Sequence, residues 1–210
     1  MKKFAALMVA FALALSFAAC GGKEPQQTET VPQVSDVLVR STYNEENGCF
    51  TNGYTQLTAA VPGDWYIYTD SDHAASYLKA EVTGDEFSMW RSADFENKTL
   101  IPDFAVQDLA NSNNLSVVYV NLENMEYAEY MDEETFHTTV IQHMSQQGRV
   151  LNQTDNEIIS ICDKDFYLFR FKDADTDWYM AMRRQDNYMI VITATDRSGA
   201  GEDLFFGYFE

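Results

Sequence analysis

Large apolar side chains are spread unevenly along this chain. An unbroken apolar stretch occupies residues 4–15, directly after Lys2 and Lys3, whereas residues 21–47 are dominated by Gln, Thr, Glu, Pro and Ser. From Gly48 onward apolar residues recur in short runs punctuated by Gly, Asn, Asp and Pro, which is the pattern of strands joined by turns. The runs 49–51 and 54–61 are separated by Asn52-Gly53, a pair that tolerates positive φ, so they predict a β-hairpin closed by Pro62-Gly63. Thr69 and Asp72 have the spacing of a capping box and predict a short helix reaching Leu78. Residues 87–90 predict a strand and 96–99 a loop, while 104–106 and 115–122 predict paired strands with a turn at 111–114.

The clearest helix begins at Asp132. Glu133 and Glu134 place negative charge in its first turn, and Phe136, Val140 and Met144 recur every fourth residue, with Ile141 widening the stripe. Gly148 is expected to end it. Four further runs, 157–162, 166–172, 178–183 and 188–195, predict an antiparallel meander, and 201–209 a short helix laying Leu204, Phe205 and Phe209 on the sheet. Strands and helices in blocks, without regular alternation, give an α+β class: an antiparallel β-sheet flanked by helices as an α/β/α sandwich.

The N-terminus carries an address. A basic start, a dozen apolar residues and then Ser16-Phe17-Ala18-Ala19-Cys20 read as a secretory leader, too short for a hydrocarbon core that wants about 20 residues. Phe17-Ala18-Ala19-Cys20 resembles the lipobox of bacterial lipoproteins, in which the cysteine receives a diacylglycerol before the leader is removed. Phe17 departs from the usual aliphatic residue, and ordinary cleavage leaving Cys20 as a thiol is the alternative. Two acyl chains suffice for stable anchoring where one does not. The expected organisation is therefore a signal peptide over 1–19, a lipidated Cys20 with a flexible tether over 20–47, in which 37–39 docks as a short strand, and one globular domain over 48–210.

Charge narrows the partners. The chain carries 14 basic and 33 acidic residues, net −19; loss of Lys2 and Lys3 with the leader takes this to −21. Such a surface repels a polyanion, so no nucleic-acid partner is expected. Asp173, Asp175 and Asp177 alternate on a turn and are the one motif that invites calcium, but an EF-hand loop needs Gly and Glu where Trp178 and Arg184 stand; a solvated hairpin turn is the other reading. Cys49 and Cys162 are a candidate disulfide in an oxidising compartment, or two independent buried cysteines. His73, His137 and His143 lack metal-site spacing, and the last two lie on different faces of their helix, as surface or boundary residues do. No nucleophile elbow, P-loop or HExxH motif occurs, so no catalytic residue, metal ligand or cofactor is assigned. The clusters at 65–68 and 178–179 suit either a ligand groove or the core.

Residues 48–78, with Phe50-Thr51-Asn52 and Val61-Pro62-Gly63-Asp64-Trp65, together with 113–122 and 130–136, resemble bacterial lipoproteins of the PsbP-like or Mog1-like fold. The resemblance implies an antiparallel sheet flanked by helices and, for most such lipoproteins, no assigned activity. PsbP supports the oxygen-evolving centre of photosystem II and Mog1 binds a small nuclear GTPase, and no functional residue of either maps onto this chain. The expectation is a non-catalytic accessory or binding module for a protein or small-molecule ligand, extracytoplasmic and anchored to the cell membrane; the alternative is an extracytoplasmic enzyme or metal-dependent carbohydrate-handling protein. Labelled fatty acid is expected to enter the wild-type chain and not Cys20→Ala; undiminished labelling of that variant refutes the anchor.

Overall fold

The computed structural model describes residues 34–69, 72–73, 99–146, 151–153 and 156–209, so the expected elements over 74–98 and the lipid site at Cys20 lie outside the described residues. Its centre is an antiparallel sheet of eight strands. These are β4 (Tyr66–Ile67), β5 (Leu100–Asp108), β6 (Asn113–Asn121), β7 (Leu151–Gln153), β8 (Glu157–Ile161), β9 (Lys164–Asp173), β10 (Thr176–Gln185) and β11 (Tyr188–Asp196). Their order is β4-β5-β6-β11-β10-β9-β7, with β8 also pairing β9. The predicted meander is present: β9, β10 and β11 are a little longer than their apolar runs because backbone pairing carries on into polar residues beside the turns, and β8 ends one residue short, at Ile161. β7 was too short and polar to be read from the sequence.

β6 and β11 are buried along almost their whole length on both faces, which is why 115–120 is a continuous apolar and β-branched run. One face is covered by α1 (Glu133–Gln146), which lays Phe136, Val140 and Met144 on Phe169, Phe171, Met180, Met182, Met189 and Val191. Asp132 caps it, its Oδ1 accepting Thr135 N at 2.8 Å. The Arg184 backbone N donates to Glu133 Oε1 at 2.7 Å, fixing the start of α1 to β10.

The opposite face carries a second sheet, β1 (Thr42–Asn44), β2 (Cys49–Thr51) and β3 (Thr58–Ala60), and a short helix, α2 (Glu202–Phe206). Phe50 stacks on Phe104 with centroids 4.1 Å apart. The outer edge of β3 is closed by the C-terminus, where Ala60 N donates to Tyr208 O at 2.8 Å and Ala59 bridges Phe209. Phe205 and Phe209 are buried as expected, but Leu204 points outward, since five helical residues cannot turn all three onto one surface.

Two expectations about the N-terminal part are corrected. Of the segment expected as a tether over 20–47, residues 34–47 belong to the fold: β1 pairs with β2, Leu38 is core, and Arg40 and Ser41 bind β5, while 37–39, docked through Leu38, is not a strand. Asn52-Gly53 is not a two-residue hairpin turn. Asn52 is fully buried, and the turn widens to 52–57, with positive φ at Gln56. Asn52 Oδ1 accepts Tyr54 N at 3.0 Å and Thr55 N at 2.9 Å, while Nδ2 donates to Val39 O at 2.7 Å and to Tyr119 Oη at 2.9 Å. A side chain that satisfies so many interior groups outweighs the local preference of Asn-Gly for a tight turn.

That bonding continues into Asp103. The β5–β6 register shifts between Pro102 and Phe104, so Asp103 is the extra residue of a bulge and its carboxylate enters the space beneath the second sheet. Oδ1 accepts Ser41 N at 2.5 Å; Oδ2 accepts Ser41 Oγ at 2.6 Å and the Tyr119 hydroxyl; Arg40 Nε donates to the Asp103 carbonyl at 3.2 Å. Burial pushes this carboxyl up, against the pull of Ser41, Tyr119 and Arg40, and the Tyr119 phenol is raised well above its ordinary value by burial and by Asp103. Asp103→Asn puts a donor where the partners already donate, and is expected to cost about 2–4 kcal/mol of unfolding free energy in urea. Asp103→Asn combined with Tyr119→Phe is expected to cost less than the two single losses together, since both break one network; full additivity refutes the coupling.

Candidate functional site

The described residues form an open groove of about 560 Å³ where β9 and β10 meet the segment entering α2, lined by Arg170, Lys172, Asp177, Trp178, Tyr179 and Glu202 among others. Cross-strand pairing sets its floor, because Arg170 stands opposite Tyr179 and Lys172 opposite Asp177. Arg170 is held by carboxylates on two sides: Nε and Nη2 each donate to Glu202 at 2.5 Å, and Nη2 also to Glu157 at 2.5 Å. Lys172 Nζ lies 3.0 Å from Asp177 Oδ1. The cations are thus neutralised by carboxylates within the groove. Burial first, then the negative fields of Asp177, Asp196 and Glu202, push the Tyr179 phenol up to about 12, so it stays protonated and available as a donor.

The rim of this groove is built by Asp196 at the end of β11. Its Oδ1 accepts Ser198 N at 2.8 Å, Ser198 Oγ at 2.8 Å and Gly199 N at 2.9 Å, and its Oδ2 accepts Gly201 N at 2.8 Å. Gly201, with φ 85°, then starts α2 in a conformation that suits glycine. Although burial raises it, these donors bring the Asp196 carboxyl below its usual range. The loop is therefore fixed in shape, and Glu202 is delivered to Arg170.

The residues singled out from sequence end up in different places. Asp173 pairs with Thr176 and Asp177 with Lys172 across a two-residue turn, so Asp173 and Asp177 face opposite sides of the hairpin and Asp175 lies on the turn itself. The three carboxylates do not converge, and among the described residues no group of three His, Cys, Asp or Glu side chains is placed to hold a metal ion. Cys49 and Cys162 are both thiols. Cys162, expected in a strand, occupies with Asp163 the turn between β8 and β9, both with positive φ, and its Sγ lies 3.5 Å from Thr58 N. Cys49 stands opposite Ala60 on the other side of β3. With strands about 4.8 Å apart, the intervening β3 holds the two Cα atoms beyond the reach of about 7 Å that a disulfide has.

Of the aromatic clusters, Trp65 and Tyr68 belong to the interior, Trp178 stacks on Phe171 in the core beneath α1, and Tyr179 is the ring that shares the groove face with Arg170. His137 is not the surface or boundary residue expected: it is 4% exposed and stacks on Phe169 at 3.8 Å, because the buried stripe of α1 is wider than the every-fourth-residue count implies. Past the end of the α1 contact the same sheet face becomes polar, with Gln107, Asn114, Ser116, Thr193 and Thr195 all buried. Among the described residues the Thr193 hydroxyl has no hydrogen-bond partner. Arg170 and Glu202 went unrecognised in the sequence, being 32 positions apart with no motif linking them.

The class defined so far is an α+β protein: a large antiparallel sheet with a helix on one face and a small sheet and terminal helix on the other. No family model and no curated protein sequence matches the chain. Among solved structures it is similar to cyanobacterial PsbP (CyanoP) from Synechocystis sp. PCC 6803, with 11% identity and a TM-score of 0.45 over 92% of this chain and 97% of that one. A likeness at that level brings no function with it. No helix among the described residues is long and apolar enough to cross a membrane.

Burial pushes the His137 pKa down to about 4, from an ordinary 6.5. Between these values the unfolded chain binds a proton that the folded chain does not, so this group makes stability fall with acidification, by up to about 3 kcal/mol. Urea unfolding across that window is expected to show the fall in the wild type and a shallower slope in His137→Phe; an unchanged slope assigns it to other groups.

Proposed function

We propose that the chain is an extracytoplasmic lipoprotein, anchored through a lipid on Cys20, whose domain acts as a non-catalytic accessory or binding module. The ligand is a protein or small molecule taken up in the groove between β9, β10 and α2. The observation that carries this reading is the groove itself: a preformed concavity with Tyr179 beside an ordered row of donors and acceptors, its two cations each held by a carboxylate. Such a surface recognises a partner by shape, ring contact and exchange of hydrogen bonds. An enzymatic or metal-dependent role calls for carboxylates that converge, whereas Glu157, Glu202 and Asp177 are each bound to a cation and the 173–177 triad diverges.

Location supports the same reading. The groove lies at the end of the large sheet where β9 turns into β10. The N-terminal segment joins at the opposite end, where Ser35 N donates to Gly53 O at 2.9 Å and the 52–57 turn meets Asp186 through Tyr54. A lipid attached ahead of that segment would join the domain at the end remote from the groove.

The test is photocrosslinking on intact cells, with the reactive residue at Asp203 on the groove rim or at Glu129 at the far end. A discrete adduct is expected from position 203 and not from 129, and Tyr179→Ala is expected to remove it from a chain that far-UV circular dichroism shows still folded, though less stable because the ring packs on Phe205. Equal adducts from both positions, or an adduct indifferent to Tyr179→Ala, overturn the assignment of the groove.

A further inference from the structure

Apolar and aromatic side chains stand out into solvent at the end of the molecule opposite the groove. Val34 is 72% exposed and Val37 70%, on the segment by which the chain enters the fold. They are not on a loose end. Ser35 Oγ accepts Val37 N at 3.2 Å and donates to Val37 O at 2.7 Å, closing a bend between the two valines. Ser35 N is tied to Gly53, Leu38 is buried, and the Val39 carbonyl accepts Asn52 Nδ2. A segment pinned this firmly displays its valines at no further ordering cost.

Tyr127 and Tyr130, each 71% exposed, project from the stretch that follows β6. Tyr127 adopts φ 65°, the left-handed region, and its carbonyl accepts Tyr130 N at 3.0 Å. The valines and the tyrosines flank the same turn between β10 and β11. The 52–57 turn is bound to Asp186, with Tyr54 Oη donating to Oδ2 at 2.7 Å, and the start of the tyrosine stretch is bound to Asn187, whose carbonyl accepts Leu122 N at 2.8 Å.

We propose that this end of the domain rests on the surface of the bilayer, with Val34, Val37, Tyr127 and Tyr130 as its contacts in the headgroup region. The proposal rests on the reading of Cys20 as lipidated. Val34 is 14 residues beyond Cys20, so at about 3.6 Å per residue the lipid lies within about 50 Å of it in any conformation. A folded chain of this size has a radius of gyration of about 16 Å. The entry end is therefore the part of the surface that meets the membrane most often. Tyrosine, with an apolar ring and a polar tip, is suited to the headgroup layer. Glu123, Glu126, Glu129 and Asp132 surround the tyrosines, so charge does not draw this end to an anionic membrane; the contact depends on the local concentration that the anchor supplies.

The test anchors the chain independently of lipidation, with hexahistidine in place of residues 1–19 and vesicles of phosphatidylcholine containing a nickel-chelating lipid. Bromine-labelled phosphatidylcholine quenches tryptophan in the headgroup and upper acyl layers. Against the wild-type background, Val37→Trp and Tyr127→Trp are expected to lose about a third or more of their added fluorescence, as interfacial rings do. Leu109→Trp, in the turn after β5 at the groove end, is expected to lose none. Equal quenching at all three positions, quenching at none, or quenching confined to Leu109→Trp overturns the proposal. The expected pattern in a native chain that fails to incorporate fatty acid overturns the anchor and leaves the surface standing.

Discussion

The arrangement depends on one buried carboxylate. Asp103 is pushed inward by a bulge in β5, where it gathers the Ser41 amide and hydroxyl and the Tyr119 phenol, and Tyr119 in turn accepts from Asn52. Three pieces of chain that are remote in sequence thereby meet at one anion: the entering segment, the wide 52–57 turn and the central strand β6. An interior charge is tolerable only when donors surround it. Here the donors are the parts that define the second layer, so the small sheet sits over the large one in one register, and Phe50 reaches Phe104.

The two ends of the large sheet differ in chemistry. At the β9–β10 turn, ion pairs and the loop organised by Asp196 form a concave surface beside Tyr179. At the β10–β11 turn, the entering segment and the stretch after β6 converge, and apolar and aromatic tips are exposed. Under the proposals made above, this division would separate a surface for the membrane from a surface for a ligand. Between them the central strands β6 and β11 are buried on both faces.

Much of the fold was legible in the sequence, because its strands and main helix announce themselves by period. Phe136, Val140 and Met144 gave α1, and the runs from residue 157 gave the meander, since burial of a single face or of both leaves a repeat that local reading detects. The capping box was legible for the same reason: Thr69 Oγ1 accepts Asp72 N at 3.3 Å and Asp72 Oδ2 accepts Thr69 N at 2.7 Å. The site was much less legible. Arg170 and Glu202 come from β9 and from the first turn of α2, and nothing local marks either. The acidic triad, conspicuous in sequence, is dispersed by the two-residue turn that makes it.

What the sequence determined by itself was class, the main helix, the meander from residue 157 and acidity, all properties carried by composition and short-range period. The tertiary structure decided where the polar residues went. Asn52 left its expected turn to serve the interior, His137 turned inward onto Phe169, Cys162 moved into a turn with β3 between it and Cys49, and Asp103 became the hub of the second layer. The reason is physical: apolar burial follows a period that a short window contains, whereas a polar side chain goes where its hydrogen bonds can be satisfied, and those partners lie dozens of residues away.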